Sequence, residues 1–229
     1  QKVDSFLLDV SNLSYNGYNY NNIFLKGQLS DDKGNIFAKI SDKNIDVHAS
    51  AYLKKKNNYD SWYSPIFSNI NGQVYHANLY NLKIPVNQSI DFMSTKFVIN
   101  EINDDNLNTI IKLNDFSYQL DNQIKFIDYL DFNFNNISSS SLSFNLNSSI
   151  GVINTSFENK NNKLFNFRCD ANLSKASAIS DIFLNQFEFD DSLVMSVIYD
   201  KFHLSNFVFK SPQINYQNTR LLDLDISSH

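Results

Sequence analysis

A chain of 229 residues, 42% of them hydrophobic, is long enough to bury a substantial apolar core or to line a groove, so disorder is not the first expectation. The formal charge of −5, with 19 dispersed basic residues, gives no concentrated positive field and argues against nucleic acid as a partner. Five glycines and three prolines exclude a collagen-like or low-complexity chain, while 20 phenylalanines and 12 tyrosines favour strands.

Residues 15 to 40, YNGYNYNNIFLKGQLSDDKGNIFAKI, predict two strands joined by a tight turn at Asp31-Asp32-Lys33-Gly34. Tyr18 and Tyr20 share one parity with asparagine on the other, and are expected to coat a wetted rim rather than grip a ligand. From Ile23 a true alternation begins, with Ile23, Leu25 and Leu29 on one side and Phe24, Lys26 and Gln28 on the other. Ile36 and Ile40 follow in the second strand, and then Ile45, Val47, Ala49, Ala51 and Leu53 alternate with Asp46, His48, Ser50 and Tyr52.

Further period-two runs are read at Phe97 and Ile99, Phe116 to Leu120, Leu130 to Phe134 and Leu142 to Leu146. Others cover Phe165 to Leu173, Leu193 to Tyr199 and Leu222 to Ile226. Clusters of Asn, Asp and Ser at 103–106, 138–141, 159–162 and 190–191 read as turns, because their short side chains bond to nearby backbone. Neighbouring runs are therefore expected to pair antiparallel through hairpins. Residues 75–82 and 174–184 are left between a short helical turn and irregular edge chain. No composition break marks a second domain, and residues 1–229 are read as one continuous sheet system that begins directly in a strand pattern, as an internal segment of a longer protein would.

Catalytic and metal chemistry finds little support. His48, His76, His203 and His229 share no ligand spacing with a cysteine or carboxylate, and the pairs Asp31-Asp32, Asp104-Asp105 and Asp190-Asp191 fall in predicted turns. Cys169, alone in the chain, excludes an intramolecular disulfide and sits in the alternating run Phe165, Phe167, Cys169, Ala171, where it reads as a small buried apolar residue. There is no Gly-rich phosphate loop and no G-x-S-x-G, so the chain is read as a non-enzyme with no cofactor. No stretch of roughly 18 apolar residues occurs.

Three architectures absorb this many amphipathic strands: a closed β-sandwich, an outer-membrane barrel, or a long open sheet curled on itself. Charge and amide on one face, with strands of uneven length, argue against the barrel wall. The sandwich remains the alternative to the open sheet.

The succession DVSNLSYNGYNYNNIFLKGQLSDDKGNIFAKISDKNIDVHASAYL resembles the repeat unit of TamB and AsmA-like proteins, particularly those of Bacteroidota. In that family a short entry strand leads to strands of the form xxIxLKGxL, GxIxAxI and xIDVxAxAxL. YSPIFSNINGQVYHANLYNLKI is similar to the family's connector, with Ala77, Leu79 and Leu82 at its recurring small and leucine positions. The later segment LDFNFNNISSSSLSFNLNSSIGVINTSFENKNNKLFNFRCDANL resembles another round of the same grammar.

The resemblance implies an all-β, taco-shaped antiparallel sheet whose apolar faces line an open groove for lipid acyl chains. It implies a periplasmic segment of a bridge between inner and outer membranes, with the parent protein anchored in the inner membrane. The partners would be phospholipid and, through regions outside this segment, an outer-membrane protein; a role in outer-membrane assembly is the related reading. The groove candidates are Ile23, Leu25, Leu29, Ile36, Ile40, Ile45, Val47 and Leu53, then Phe97, Ile99, Phe132, Phe134, Phe144, Phe165, Phe167 and Phe189. The competing readings are a secreted sugar-binding or adhesive β-sandwich using Trp62 and Tyr18, and a purely structural spacer.

Overall fold

In the computed structural model the described residues are 3–55, 66–83, 90–103, 107–138, 140–160, 163–183, 187–189, 191–201, 203–216 and 219–228. Trp62, His229 and the pair Asp104-Asp105 lie outside them, as does Asp190. Among the described residues the fold is all-β, with fifteen antiparallel strands and one short helix, and the sheet is not closed. The chain divides into two compact units, residues 1–129 and 130–229.

The first unit holds β1 (Asp4–Tyr15), β2 (Tyr18–Leu29), β3 (Lys33–Asp42), β4 (Ile45–Lys54), β5 (Phe67–Ala77), β6 (Ile90–Asn103) and β7 (Leu107–Leu120). Each pairs with the next in the chain. β8 (Gln123–Ser138) carries the boundary between the units. The second unit continues with β9 (Ser141–Ser148), β10 (Gly151–Lys160), β11 (Lys163–Leu173), α1 (Ser177–Phe183), β12 (Phe187–Phe189), β13 (Leu193–Asp200), β14 (His203–Tyr216) and β15 (Thr219–Ser228). There the order is β8-β9-β10-β11-β13-β14, with β12 pairing residues 214–216 of β14 and β15 covering the other edge of β14.

Local chemistry explains the hairpins. Asn16 and Gly17 both have positive φ (49° and 74°), the two-residue turn whose twist matches the strands it joins, and Asp121 and Asn122 repeat it at 51° and 64° between β7 and β8. The alternation read over Ile45–Leu53 is β4 itself, and the predicted turn at Asp31-Asp32 joins β2 to β3.

Burial is concentrated toward one end of the strands in each unit. In the first, Ala77, Leu79, Leu82, Ile90, Tyr118 and Leu120 are nearly inaccessible. β5 runs on through Ala77, and residues 78–82 then make one helical turn, in which the Leu82 N–H donates to the Asn78 carbonyl at 3.1 Å. This turn tucks its two leucines away and leaves Tyr80 and Asn81 outside. In the second unit α1 does the same work. Ala178 and Ile182, one turn apart, are buried, and Leu173, Ala176 and Leu193 form a cluster against which Ile153, Ile179, Phe189 and Phe209 pack. Cys169 is buried as expected, opposite Thr155 and Val197, and Thr155 Oγ1 lies 3.5 Å from its sulfur.

Candidate functional site

Residues directly opposite in an antiparallel ladder share a face, so the register decides which side chains meet. In the first unit one row runs Leu8, Leu25, Ala38, Ala49, Gly72, Phe97, Leu113 across seven strands. On one side of it lies the row Val10, Ile23, Ile40, Val47, Val74, Thr95. On the other lies Phe6, Gly27, Ile36, Ala51, Ile70, Ile99, Ile111. All three rows belong to one apolar face.

The ten groove candidates of this unit fall on that face, Leu29 and Leu53 flanking Gly34 in the next row and Ile45 beside Ala77 at the closed end. Ile23 is buried; Leu25, Leu29, Ile36, Ile40, Ile45, Val47, Leu53, Phe97 and Ile99 are half-buried. Half-burial of most of each row, with Phe6 and Leu8 exposed at the β1 edge, is what a sheet face has when neighbouring side chains shield one another.

The second unit repeats the arrangement. Phe132, Leu146, Ile153, Ala171, Met195, Phe209 and Ile226 form one row, and Phe134, Phe144, Thr155, Cys169, Val197 and Phe207 the next. Phe167 joins a third through Phe157 and Tyr199. Phe132, Phe134, Phe144, Phe165 and Phe167 are half-buried, and the Phe134 and Phe144 rings stand 5.0 Å apart. Phe165 sits where the β10–β11 register shifts, with Lys160 Nζ over its ring. Phe189 departs from the rest: it pairs with buried Ile214 and packs on the Leu173–Ala176–Leu193 cluster, so it closes the core end.

The opposite face is built from amides, hydroxyls, charged side chains such as Lys26 and Lys39, and aromatics, of which Phe24, Phe37, His48 and Tyr75 make successive ring contacts. A concavity of about 800 Å³ opens there over β1 to β5, and one of about 470 Å³ beside it shares Phe37, Ser50 and Asn71. Parity alone did not disclose this, because the lining comes from strands separated in sequence and only the register brings them together.

Tyr18 also proves more than a rim residue. Its hydroxyl donates to Asp42 Oδ1 at 2.9 Å and accepts from Asn44 Nδ2 at 3.0 Å, and its ring meets that of Tyr20 edge-on at 4.8 Å. Asp42 Oδ1 also accepts from the Asn44 and Ile45 N–H groups at 2.7 and 3.2 Å, and Oδ2 from the Asn21 N–H at 3.2 Å. Burial pushes the Asp42 carboxyl up, but these donors outweigh it and hold the group below the usual carboxylate range. Burial raises the Tyr18 hydroxyl above its usual value, Asn44 opposes the rise, and Asp42 adds to it. Asn81 Nδ2 donates to Asn44 Oδ1 at 3.0 Å, which ties the turn carrying Leu79 and Leu82 to the same cluster.

Among the described residues no group of three metal-ligating side chains occurs, and no helix is long and apolar enough to cross a membrane. Comparison with known proteins returned no match: no family model, no curated protein and no solved structure.

Proposed function

We propose that the chain is a segment of a periplasmic bridge-like lipid transfer protein, in which the apolar face of the open sheet carries phospholipid acyl chains between inner and outer membranes or toward outer-membrane assembly. The observation that carries the reading is the row Leu8, Leu25, Ala38, Ala49, Gly72, Phe97, Leu113, flanked by two largely apolar rows and half-buried from Leu25 to Leu113, with Leu8 exposed at the β1 edge. Six strand spacings of about 4.8 Å make such a row roughly 29 Å long, measured along the sheet.

The chemistry suits transport. Each buried methylene contributes roughly 0.8 kcal/mol, and the attraction has no direction, so a chain lying across the strands is held without being fixed in register. No polar side chain in the central row offers a hydrogen bond that sliding would break. The repeat resemblance supports the same reading, as do the small side chains of Ala38 and Ala49 in the central row, between Ile40 and Val47 on one side and Ile36 and Ala51 on the other.

The test is native mass spectrometry of gently purified protein, combined with photocrosslinking from benzoylphenylalanine placed at Phe97 or at Tyr75. Phe97 lies on the apolar face, whereas Tyr75 is exposed and lines the smaller concavity of the other face. Bound phospholipid, with adducts from residue 97 and few from residue 75, is the expected result. Lipid-free protein, or equal labelling from both positions, would sink the reading.

A further inference from the structure

We infer that the concavity on the polar face of the first unit is a binding site for a short, extended acidic saccharide. Two adjacent cross-strand rows make it. Gln28, Asn35 and Tyr52 lie side by side in one, and Lys26, Phe37, Ser50 and Asn71 in the other. The space they border, about 800 Å³, falls in the range of small-ligand sites.

The lining chemistry selects the ligand class. The side chains of Gln28, Asn35 and Ser50 make no hydrogen bond to other described residues, so amide and hydroxyl groups of both polarities face the space unspent. Such groups match the dense hydroxyl pattern of a sugar ring. Phe37 and Tyr52 supply aromatic surfaces on which the C–H face of a pyranose stacks, and Tyr52 has an additional polar tip. Among the described residues Lys26 is the sole charged residue of the lining, with no carboxylate beside it. Its Nζ lies over the Phe37 ring, 5.3 Å from the centre, so an acidic substituent of a sugar packed against the free part of the ring comes within reach of the cation.

Repeat length supplies the third argument. Strands stand about 4.8 Å apart, close to the advance per residue of an extended β-1,4-linked glycan, so successive sugars, alternating in orientation, meet successive strands. A purely apolar ligand would leave the amides unpaired.

Isothermal titration and amide chemical-shift mapping with two probes, a β-1,4-linked triglucuronate and neutral cellotriose, test the site. The triglucuronate is expected to bind more tightly, with shifts confined to β1–β5. Lys26→Met, at an exposed position, should weaken the triglucuronate about fivefold and leave cellotriose unchanged, the size of one exposed ion pair. Phe37→Leu should weaken both probes, with an unchanged circular-dichroism spectrum showing that the sheet persists. Absence of binding by both probes, shifts centred outside these strands, or affinities indifferent to Lys26→Met would each overturn the assignment.

Discussion

The ring of Phe97 lies over the backbone of Gly72, so close that a Cβ on residue 72 would sit 2.7 Å from Phe97 Cζ and 2.3 Å from the His48 carbonyl oxygen. Phe6 covers Gly27 in the same manner, with its ring 2.5 Å from where a Cβ would stand. Both glycines belong to the apolar face, where an aromatic ring from the next strand takes the place of the missing side chain. Gly72→Ala is therefore expected to destabilise by about 1–3 kcal/mol, since backbone as well as ring must shift. Gly17→Ala is the control. Nothing lies within 4 Å of its Cβ position, and only the positive φ of 74° opposes the change, which costs roughly 1 kcal/mol. Urea unfolding of both variants measures the difference.

The strands themselves were legible because period two survives wherever one face is apolar and the other wet. Parity read from Ile45, Val47 and Leu53 put these residues on the face that the ladders confirm, beside Ile36, Ile40 and Ile99. The turn clusters named the neighbouring strands, but parity does not give the register in which they pair, and the polar concavity depends on that register. The Tyr18–Asp42–Asn44 cluster was hidden for the same reason: its members are brought together over 24 and 26 residues by the β2–β3–β4 pairing. Phe189 differs in placement from the other candidates because it stands in a three-residue strand whose partner, Ile214, is buried at the core end. The division near residue 129 left no mark either, since it falls within one strand and needs no linker.

Asp42 gives the fold a pH dependence with a definite sign. Its carboxyl is held below the ordinary value of 3.8, so the folded state favours the ionised form more than the unfolded chain does. The resulting stability is fully present above that ordinary value and is lost as pH falls through the lower folded value. Asp42→Asn places an amide where Oδ2 accepts from the Asn21 N–H, and should cost roughly 1–3 kcal/mol at neutral pH. Thermal melts of the two proteins should differ most at neutral pH and converge as pH falls through the lowered folded value and the wild-type carboxylate is protonated. A gap that stays constant down to the acid limit would assign the loss to packing instead.

Polarity of the apolar rows separates lipid holding from folding. Ile36→Thr, Val47→Thr and Val74→Thr together put three hydroxyls beside the central row while keeping branched side chains that favour strands. Phospholipid recovered with the purified protein should fall severalfold. Val98→Thr, on the opposite face between Asn71 and Lys112, should leave the lipid content unchanged. Quantitative lipid extraction from proteins matched by circular dichroism makes the comparison. Equal loss in both variants would tie the lipid to something other than the apolar rows.

The strands at the two open edges face a different problem. β1 leaves Leu7 70% and Leu13 50% exposed, and β15 leaves Leu222 56% exposed. β1 contains no lysine and no proline, the residues with which edge strands ordinarily repel a further strand, and its outer row of N–H and C=O groups has no neighbour among the described pairings. Such an edge is a template for strand addition, and the isolated chain is expected to self-associate as concentration rises. Leu13→Lys with Leu222→Lys adds a charge to each edge without touching the central rows, and should shift sedimentation velocity profiles toward the monomer. A wild-type chain that remains monomeric at high concentration would mean that twist or the exposed charges Asp4, Asp9, Asp223 and Asp225 already guard the edges.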